Sequence, residues 1–173
     1  MNLALFVLHV TVGGLLAAHG AQKLFGSGGG GIDGTADMFD RVGLRRGQLH
    51  ARLAGTAEFC GGALLVLGLL TPFAASTLIA VMVAAIAAVH LPNGFFNTNK
   101  GYEFNLTLIV AAFALAGAGP GAWSLDNVLG LGLAGAGWAI GALAAGILGG
   151  AGVVAGGKCY SRRDAHRAPY AHA

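Results

Sequence analysis

Five long apolar runs alternate with short polar segments along this chain. A transmembrane helix needs about 20 mostly apolar residues. The first run has no basic segment before it, so it is predicted to be a span rather than a cleaved signal peptide. The pattern therefore predicts an all-α membrane protein with spans at residues 3–25, 53–70, 72–91, 104–119 and 138–157.

The polar segment at residues 27–50 separates the first two predicted spans. It opens with a glycine run, after which Met38, Phe39 and Val42 recur at helical spacing. This spacing predicts a short amphipathic helix lying on the cytoplasmic leaflet. An ordinary solvated loop is the alternative.

Composition supports the assignment to the membrane. Hydrophobic residues make up 55% of the 173 residues and charged residues only 10%, whereas an average soluble domain is about 25% charged. The mean hydropathy is +0.71. A soluble globular protein is therefore excluded. The two cysteines, Cys60 and Cys159, form no CxxC pair and indicate neither a disulfide framework nor a dithiol redox centre.

The basic residues orient the predicted spans. In a five-span chain all ten Lys and Arg residues fall on one side of the membrane. By the positive-inside rule this side is cytoplasmic. The N-terminus is therefore predicted outside, and residues 158–173 are predicted to form a basic cytoplasmic tail.

Several polar residues lie at membrane depth, where ionisable groups are costly and often functional. Antiparallel connectivity brings them to the cytoplasmic half of the bundle, although they come from distant parts of the sequence. We therefore predict one polar pocket, lined by His19, Gln22, Lys23, Glu58, His90, Tyr102, Glu103 and Asn105.

The residue types in this predicted pocket suit a quinone head group. Glu58 beside Lys23 or Arg52 would be a desolvated carboxylate with a cationic partner. His19 and His90 could donate hydrogen bonds to a carbonyl ligand or pass protons. A quinone enters from lipid, needs donors for its carbonyl oxygens and needs protons on reduction. Glu58 and His19 are the candidate catalytic residues, and the other six residues of the set are candidate ligand-binding residues.

Other interpretations use the same side chains. An interhelical network of Glu, Lys and His could simply hold helices together. His19 and His90 could be axial ligands of a b-type haem, or join Glu58 and Glu103 in a metal site. No ExxH or HxxxH spacing supports haem or metal, so no metal ligand is assigned. His9 lies deeper and is predicted to be a packed histidine bonded to a neighbouring helix.

Small residues mark one face of the fifth run. They recur every four residues, and such a ridge lets helix backbones approach closely. The ridge predicts packing on the protein's own bundle or on a partner such as a second copy. It consists of Gly137, Gly141, Ala145 and Gly149.

Short motifs follow one another along most of the chain. They are residues 19–26 (HGAQKLFG), Ala57-Glu58, Gly61-Gly62, residues 67–71 (LGLLT), His90, residues 93–96 (NGFF), 101–104 (GYEF), 119–121 (GPG) and 124–126 (SLD). In these motifs the chain resembles the DoxX family of small membrane proteins over about residues 1–130. The resemblance implies a four-helix module of the bacterial or archaeal plasma (inner) membrane. It also implies kinship with subunits of thiosulfate:quinone oxidoreductase and with a mycobacterial membrane complex containing superoxide dismutase and a sulfurtransferase.

The chain departs from this four-helix pattern by adding a glycine-rich fifth span within residues 131–157 and the basic tail. The function predicted is an integral membrane subunit of a quinone-linked oxidoreductase system, with quinone as the cofactor. The alternative is a non-catalytic membrane scaffold that recruits soluble redox or oxidative-stress proteins on the cytoplasmic side. A small-solute carrier is a third interpretation, but the spans contain no obvious inverted repeat.

Overall fold

The computed structural model describes residues 2–26 and 30–167, and the regular elements within these ranges are helical. The prediction of an all-α membrane protein is confirmed. A π turn (Ile86–His90) and a 3-10 turn (Leu91–Asn93) continue α4, and another 3-10 turn (Asn97–Asn99) follows. The α-helices are α1 (Asn2–Phe25), α2 (Gly31–Arg41), α3 (Gly47–Leu67), α4 (Thr71–Ala85), α5 (Glu103–Ala118), α6 (Leu125–Val128) and α7 (Ala136–Arg167).

The five long helices form one bundle in which α1 packs on α3, and α4 packs on α3, α5 and α7. Gly146 of α7 lies so close to α4 that a Cβ there would be 2.6 Å from the Ile79 Cβ. Near its other end, Gly157 lies against Leu44 and His50 at the start of α3. Helix α7 therefore runs parallel to α4, and the chain passes alternately up and down through the bundle.

This connectivity gives the bundle two distinct ends. The basic end holds Lys23 at the close of α1, the start of α3, the loop after α4 and Lys158 in α7. The opposite end holds α6 and is called the Asp126 end. The basic residues that the sequence predicts on one side of the membrane thus lie at one end of the bundle, wherever the structure describes them.

Three of the described helical segments are long and apolar enough to cross a membrane: Asn2–Phe25, Thr71–Asn93 and Ala136–Cys159. Helix α3 does not qualify because it carries polar residues such as Gln48, Arg52 and Glu58. Helix α5 has 16 residues. At about 1.5 Å per residue it is about 24 Å long, less than a hydrocarbon core of about 30 Å. The crossing of the membrane by α3 and α5 stays a prediction.

Several helix boundaries differ from the predicted ones. Helix α3 begins six residues earlier than residue 53 and ends at Leu67, because Gly68 adopts a left-handed conformation with φ of 58°. The regular part of the third predicted span ends at Ala85, ahead of Pro92, which has no N–H to continue the helical ladder. Helix α7 continues past residue 157 to Arg167, into the segment predicted as a tail.

The short helix predicted between the first two spans is present as α2. It packs on α3 through the small buried residues Thr35 and Ala36, and the Asp40 carboxylate accepts a hydrogen bond of 3.1 Å from the Gly47 backbone N–H. Met38 and Phe39 are half-buried. Helix α2 therefore covers the first turns of α3, and its placement on the cytoplasmic leaflet stays a prediction.

The small-residue ridge predicted on α7 is exposed along its length, although a Cβ on Gly149 would contact Ala80 of α4 at 3.6 Å. Gly137 and Gly141 are exposed, and a Cβ at either position would meet no atom within 4 Å. The close contacts with α4 come instead from Gly146 and Gly150, which lie on a different face of α7. The outward ridge leaves contact with lipid or a second copy open, and the homo-oligomer stays a prediction.

At the opposite end of the bundle, Asp126 holds the turn between α3 and α4. Its carboxylate is fully buried and accepts hydrogen bonds from Leu70 N at 2.7 Å, Thr71 N at 3.0 Å and Thr71 Oγ1 at 3.0 Å. Its own N–H donates to Gly68 O at 2.9 Å. Ser124 accepts a hydrogen bond from Asn127 N as the cap of α6. These bonds, called the Asp126 clamp, satisfy backbone donors at the start of α4.

Candidate functional site

The candidate site lies in the seam between α1 and α3. Both helices place residues in the seam at alternating intervals of four and three, the spacing of helices that supercoil around each other with a left-handed twist. The stripe on α1 is His9, Gly13, Leu16, Gly20 and Lys23, and the stripe on α3 is Ala51, Gly55, Glu58, Gly62 and Leu65.

Glycines bring the two backbones unusually close in this seam. A Cβ on Gly13 would lie 2.6 Å from Gly62 O, and a Cβ on Gly20 would lie 2.7 Å from Gly55 O. No side chain fits at such distances, so small residues are required here. The close approach also fixes which residue of α1 faces which residue of α3.

This register places Lys23 against Glu58. The Lys23 Nζ donates a hydrogen bond to Glu58 Oε1, which confirms the predicted carboxylate with a cationic partner. The Glu58 side chain is 2% exposed and that of Lys23 is 25% exposed. The other predicted partner, Arg52, is exposed on α3. The pair therefore joins a buried carboxylate to a cation at the surface of the bundle.

The second oxygen of this carboxylate has no donor among residues 2–26 and 30–167. Glu58 Oε2 is buried and accepts no hydrogen bond from this part of the chain. An ionised carboxylate can only accept hydrogen bonds, and leaving a buried acceptor unsatisfied costs about 1–3 kcal/mol. The arrangement can therefore accept a hydrogen bond from an O–H or N–H group, or a proton, at Oε2.

His19 and Gln22 lie beside Lys23 on α1. Residues three and four positions apart are neighbours on a helix surface, so His19 adjoins both Gln22 and Lys23. His19 and Gln22 are exposed and make no hydrogen bond within the described part of the chain. They therefore lie on α1 beside Lys23, the cation of the pair, whereas the carboxylate of the pair belongs to α3.

The other predicted site residues make their contacts elsewhere. Glu103 Oε2 accepts a hydrogen bond from Asn97 N at 3.0 Å. The ring of Tyr102 packs edge-to-face on Phe95, with centroids 5.6 Å apart. These contacts hold the loop between α4 and α5. Within residues 2–26 and 30–167 no hydrogen bond or ion pair connects them with Glu58, and the single shared pocket stays a prediction.

His90 and Asn105 are likewise engaged by neighbouring groups. His90 Nδ1 lies 2.7 Å from Lys100 O, and since a carbonyl only accepts, Nδ1 carries the proton and Nε2 is the free acceptor of the neutral ring. A neutral His90 in this state cannot donate from Nε2 to a carbonyl ligand. Asn105 is buried and its Nδ2 donates to Met82 Sδ at 3.3 Å. Among the described residues, no group of three His, Cys, Asp or Glu residues could hold a metal ion.

His9 occupies the seam at the end away from Glu58. It is 2% exposed, and its Nδ1 lies 2.9 Å from Leu65 O on α3. Its Nε2 faces Gly119 O at 3.5 Å. The prediction of a packed histidine bonded to a neighbouring helix is confirmed.

Comparison with known proteins shows the family of the chain. The family model of DoxX matches residues 4–91. The chain belongs to the DoxX family. The matched segment contains both stripes of the seam and ends one residue after His90. The motifs at residues 93–96, 101–104, 119–121 and 124–126 lie beyond it.

A relative supports the membrane assignment of this DoxX protein. Over 101 residues the chain is 35% identical to an uncharacterized membrane protein of Mycobacterium tuberculosis (strain ATCC 25618 / H37Rv). The match covers 53% of the chain and 62% of the relative's length. No solved structure matches the chain.

Proposed function

We propose that this DoxX protein is the integral membrane subunit of a quinone-linked oxidoreductase system and that the Lys23–Glu58 pair binds the quinone head group. The observation that carries the proposal is the buried Glu58 Oε2, which has no hydrogen-bond donor among the residues that the structure describes. A buried carboxylate in a membrane bundle is costly, and such residues mark ligand or proton sites.

The pair offers a partner to each redox form of a quinone. The hydroxyl of a quinol can donate to Glu58 Oε2. The carbonyl of a quinone can accept from Lys23 Nζ, which has three N–H donors and is 25% exposed. The apolar part of such a ligand stays in the lipid, against the exposed apolar side chains of α1 and α3, including Phe25 and Phe59.

Reduction of a quinone to a quinol takes up two electrons and two protons. We assign both proton transfers to Glu58, which takes a new proton from the aqueous side between them through the exposed His19 beside Lys23. The electrons come from a partner protein that carries a redox cofactor. This division makes the DoxX chain the quinone-binding part of a larger system.

Replacing Glu58 with Gln tests the proposal. The change preserves side-chain volume but removes the charge and the acid or base, so affinity for a soluble short-chain quinol should fall at least about tenfold, equivalent to about 1.4 kcal/mol. The measurement is a titration of the purified protein in nanodiscs. Glu103→Gln is the matched control, because that carboxylate already accepts a hydrogen bond from Asn97.

Two outcomes would contradict the assignment of Glu58. One is an unchanged quinol affinity in a folded Glu58→Gln protein. The other is an absence of binding by the wild-type protein. If the Lys23–Glu58 pair were purely structural, Glu58→Gln should lower the stability of the protein only slightly, since interhelical hydrogen bonds in membranes average only about 0.6 kcal/mol.

The second candidate is a scaffold that recruits soluble redox or oxidative-stress proteins. It is favoured by the exposed basic side chains gathered at the basic end, including Arg45, Arg52 and Lys100. A scaffold of this kind would bind its partner equally well in the wild-type protein and in the Glu58→Gln variant. Unchanged quinol affinity together with salt-sensitive partner binding would select it.

We also propose that the basic end faces the cytoplasm of a prokaryotic cell, with the N-terminus outside. The parallel course of α1 and α7, which places Lys23 and Lys158 at the same end, supports this orientation. A C-terminal green fluorescent protein should therefore fluoresce, and a C-terminal alkaline phosphatase should be inactive. An active phosphatase with a dark fluorescent fusion would reverse the topology.

A further inference from the structure

The loop between α4 and α5, residues 91–102, combines exposure with a fixed backbone. We call it the aromatic loop. Residues 91–100 are all exposed. Three backbone hydrogen bonds nevertheless cross the loop: Gly101 N to Phe96 O at 3.1 Å, Tyr102 N to Gly94 O at 3.2 Å, and Glu103 N to Phe95 O at 2.9 Å. These bonds pair N–H and C=O groups across a loop that has no regular secondary structure of its own beyond short turns.

Side chains tighten the aromatic loop further. His90 Nδ1 and Asn93 Nδ2 both donate to Lys100 O, at 2.7 and 3.3 Å. The Glu103 carboxylate accepts from Asn97 N. Gly101 is buried, and a Cβ there would lie 2.6 Å from Phe95 O. The polar residues of this region therefore build the loop, and the loop presents a defined surface.

That surface is aromatic and carries one cation. Phe96 is 64% exposed and Phe95 43% exposed. The two rings pack edge-to-face with centroids 5.4 Å apart, and Tyr102 packs on the other side of Phe95. Lys100 is exposed beside them. Tyr is enriched at the membrane–water interface, and Phe side chains of interfacial segments enter the boundary between head groups and acyl chains. Lys at the same depth can meet the head groups.

The adjoining helices place the aromatic loop at the membrane surface. The segment Thr71–Asn93 is a candidate span and ends within the loop. Helix α5 starts directly after the loop and has 16 residues. At about 24 Å it is too short to carry the loop clear of the head groups if its other end lies at the opposite interface.

We infer that the aromatic loop inserts into the head-group region of the bilayer, with Phe95 and Phe96 at the acyl boundary and Lys100 on the phosphate of an anionic phospholipid. Continuity with the candidate span selects lipid over a soluble protein as the occupant. The internal hydrogen bonds allow this insertion, since backbone groups near the hydrocarbon must be satisfied without water.

A single tryptophan in the loop tests the inference. Phe96→Trp is made in a protein whose two native tryptophans, Trp123 and Trp138, are replaced with Phe. In nanodiscs, phospholipids brominated near the head group should quench it more than those brominated near the chain end. Acrylamide should quench it at least about threefold less than it quenches N-acetyltryptophanamide, because an interfacial side chain lies about 5–10 Å deep.

Two results would overturn the inference. Acrylamide quenching at the level of free N-acetyltryptophanamide, with no effect of brominated lipid, would place the loop in water. Protection from both quenchers would place it against a second copy of the chain. An unchanged midpoint of thermal unfolding confirms that the tryptophan variant is folded. A protein in which Trp123 is the single tryptophan provides a second control position.

The lipid head group is tested separately through Lys100. Brominated phosphatidylglycerol should quench the loop tryptophan about twofold more than brominated phosphatidylcholine, because the cation enriches an anionic lipid. Lys100→Gln should remove this difference. Equal quenching by the two lipids in the presence of Lys100 would overturn its assignment to the phosphate.

Discussion

Replacing Asp126 with Ala should destabilise the fold by about 3–5 kcal/mol, because three donors, two of them buried, lose their acceptor at once. These donors are Leu70 N, Thr71 N and Thr71 Oγ1. The loss should separate the start of α4 from α6. The measurement is the free energy of unfolding in mixed detergent micelles. Asp37→Ala is the matched control, since Asp37 is exposed on α2, and should change stability by less than about 0.5 kcal/mol.

Equal stability of the two alanine variants would contradict the account of the Asp126 clamp.

The clamp also connects two separated sequence motifs. Gly68 and Thr71 belong to one motif and Asp126 to another, and the structure joins them through four hydrogen bonds. Their role is therefore the connection between α3, α4 and α6.

Replacing Gly20 with Ala should destabilise the α1–α3 seam by about 1–3 kcal/mol, the usual cost of overpacking. The added Cβ would lie 2.7 Å from Gly55 O and 2.8 Å from Phe59 Cα, both backbone atoms that cannot move alone. Gly14→Ala is the matched control on the same helix, because a Cβ there meets no atom within 4 Å.

The comparison of these two variants by unfolding in mixed micelles isolates the seam. We expect Gly14→Ala to be neutral and Gly20→Ala to be destabilised, with the register of Lys23 and Glu58 disturbed as well. Equal stabilities would show that the helices separate at little cost. The glycine seam would then fail as the reason for the close pairing of α1 and α3.

Much of the bundle could be predicted from the sequence because apolar length marks the segments Asn2–Phe25, Thr71–Asn93 and Ala136–Cys159 as candidate spans. The pairing of Lys23 with Glu58 also followed from depth, since antiparallel neighbours bring residues of matched depth together. The depth of a residue in the membrane does not say in which direction its side chain points around the helix axis, however. His90 and Glu103 were predicted at the same depth as Glu58, but they point into the aromatic loop.

The packing glycines show a second limit. Between residues 136 and 157 nearly every residue of α7 is small or apolar, so no polar face indicates which side meets the bundle. The four-residue ridge through Gly137 and Gly141 faces outward, while Gly146 and Gly150 pack on α4. A usable signal did exist in the other helices, where α1 and α3 each carry a pair of glycines seven residues apart at matching depth.

Asp126 shows a third limit. Its motif follows a Pro-Gly turn and resembles an ordinary loop with a helix cap. The donors to its carboxylate belong to residues 55 or 56 positions earlier in the chain. A contact at that separation depends on the packing of α3, α4 and α5, and a local pattern cannot contain it.

The seam gives the proposed quinone site its physical basis. The glycines bring the backbones of α1 and α3 close together, and the Glu58 carboxylate beside them is 2% exposed. Among the described residues it meets a cation on one oxygen, Oε1, and no donor on the other. The exposed side of α1 carries His19 and Gln22 beside that cation. A head group arriving from lipid would therefore meet donors on α1 and an acceptor on α3.

The most direct measurement of this account is the amount of quinone that copurifies with the protein in native lipid. Wild-type protein and Glu58→Gln are extracted with a lipid-retaining polymer, and quinone is quantified per protein and per phospholipid by mass spectrometry. The account predicts quinone enriched over the bulk membrane in the wild-type protein and close to the bulk level in Glu58→Gln. Quinone at the bulk membrane level in both proteins would contradict it.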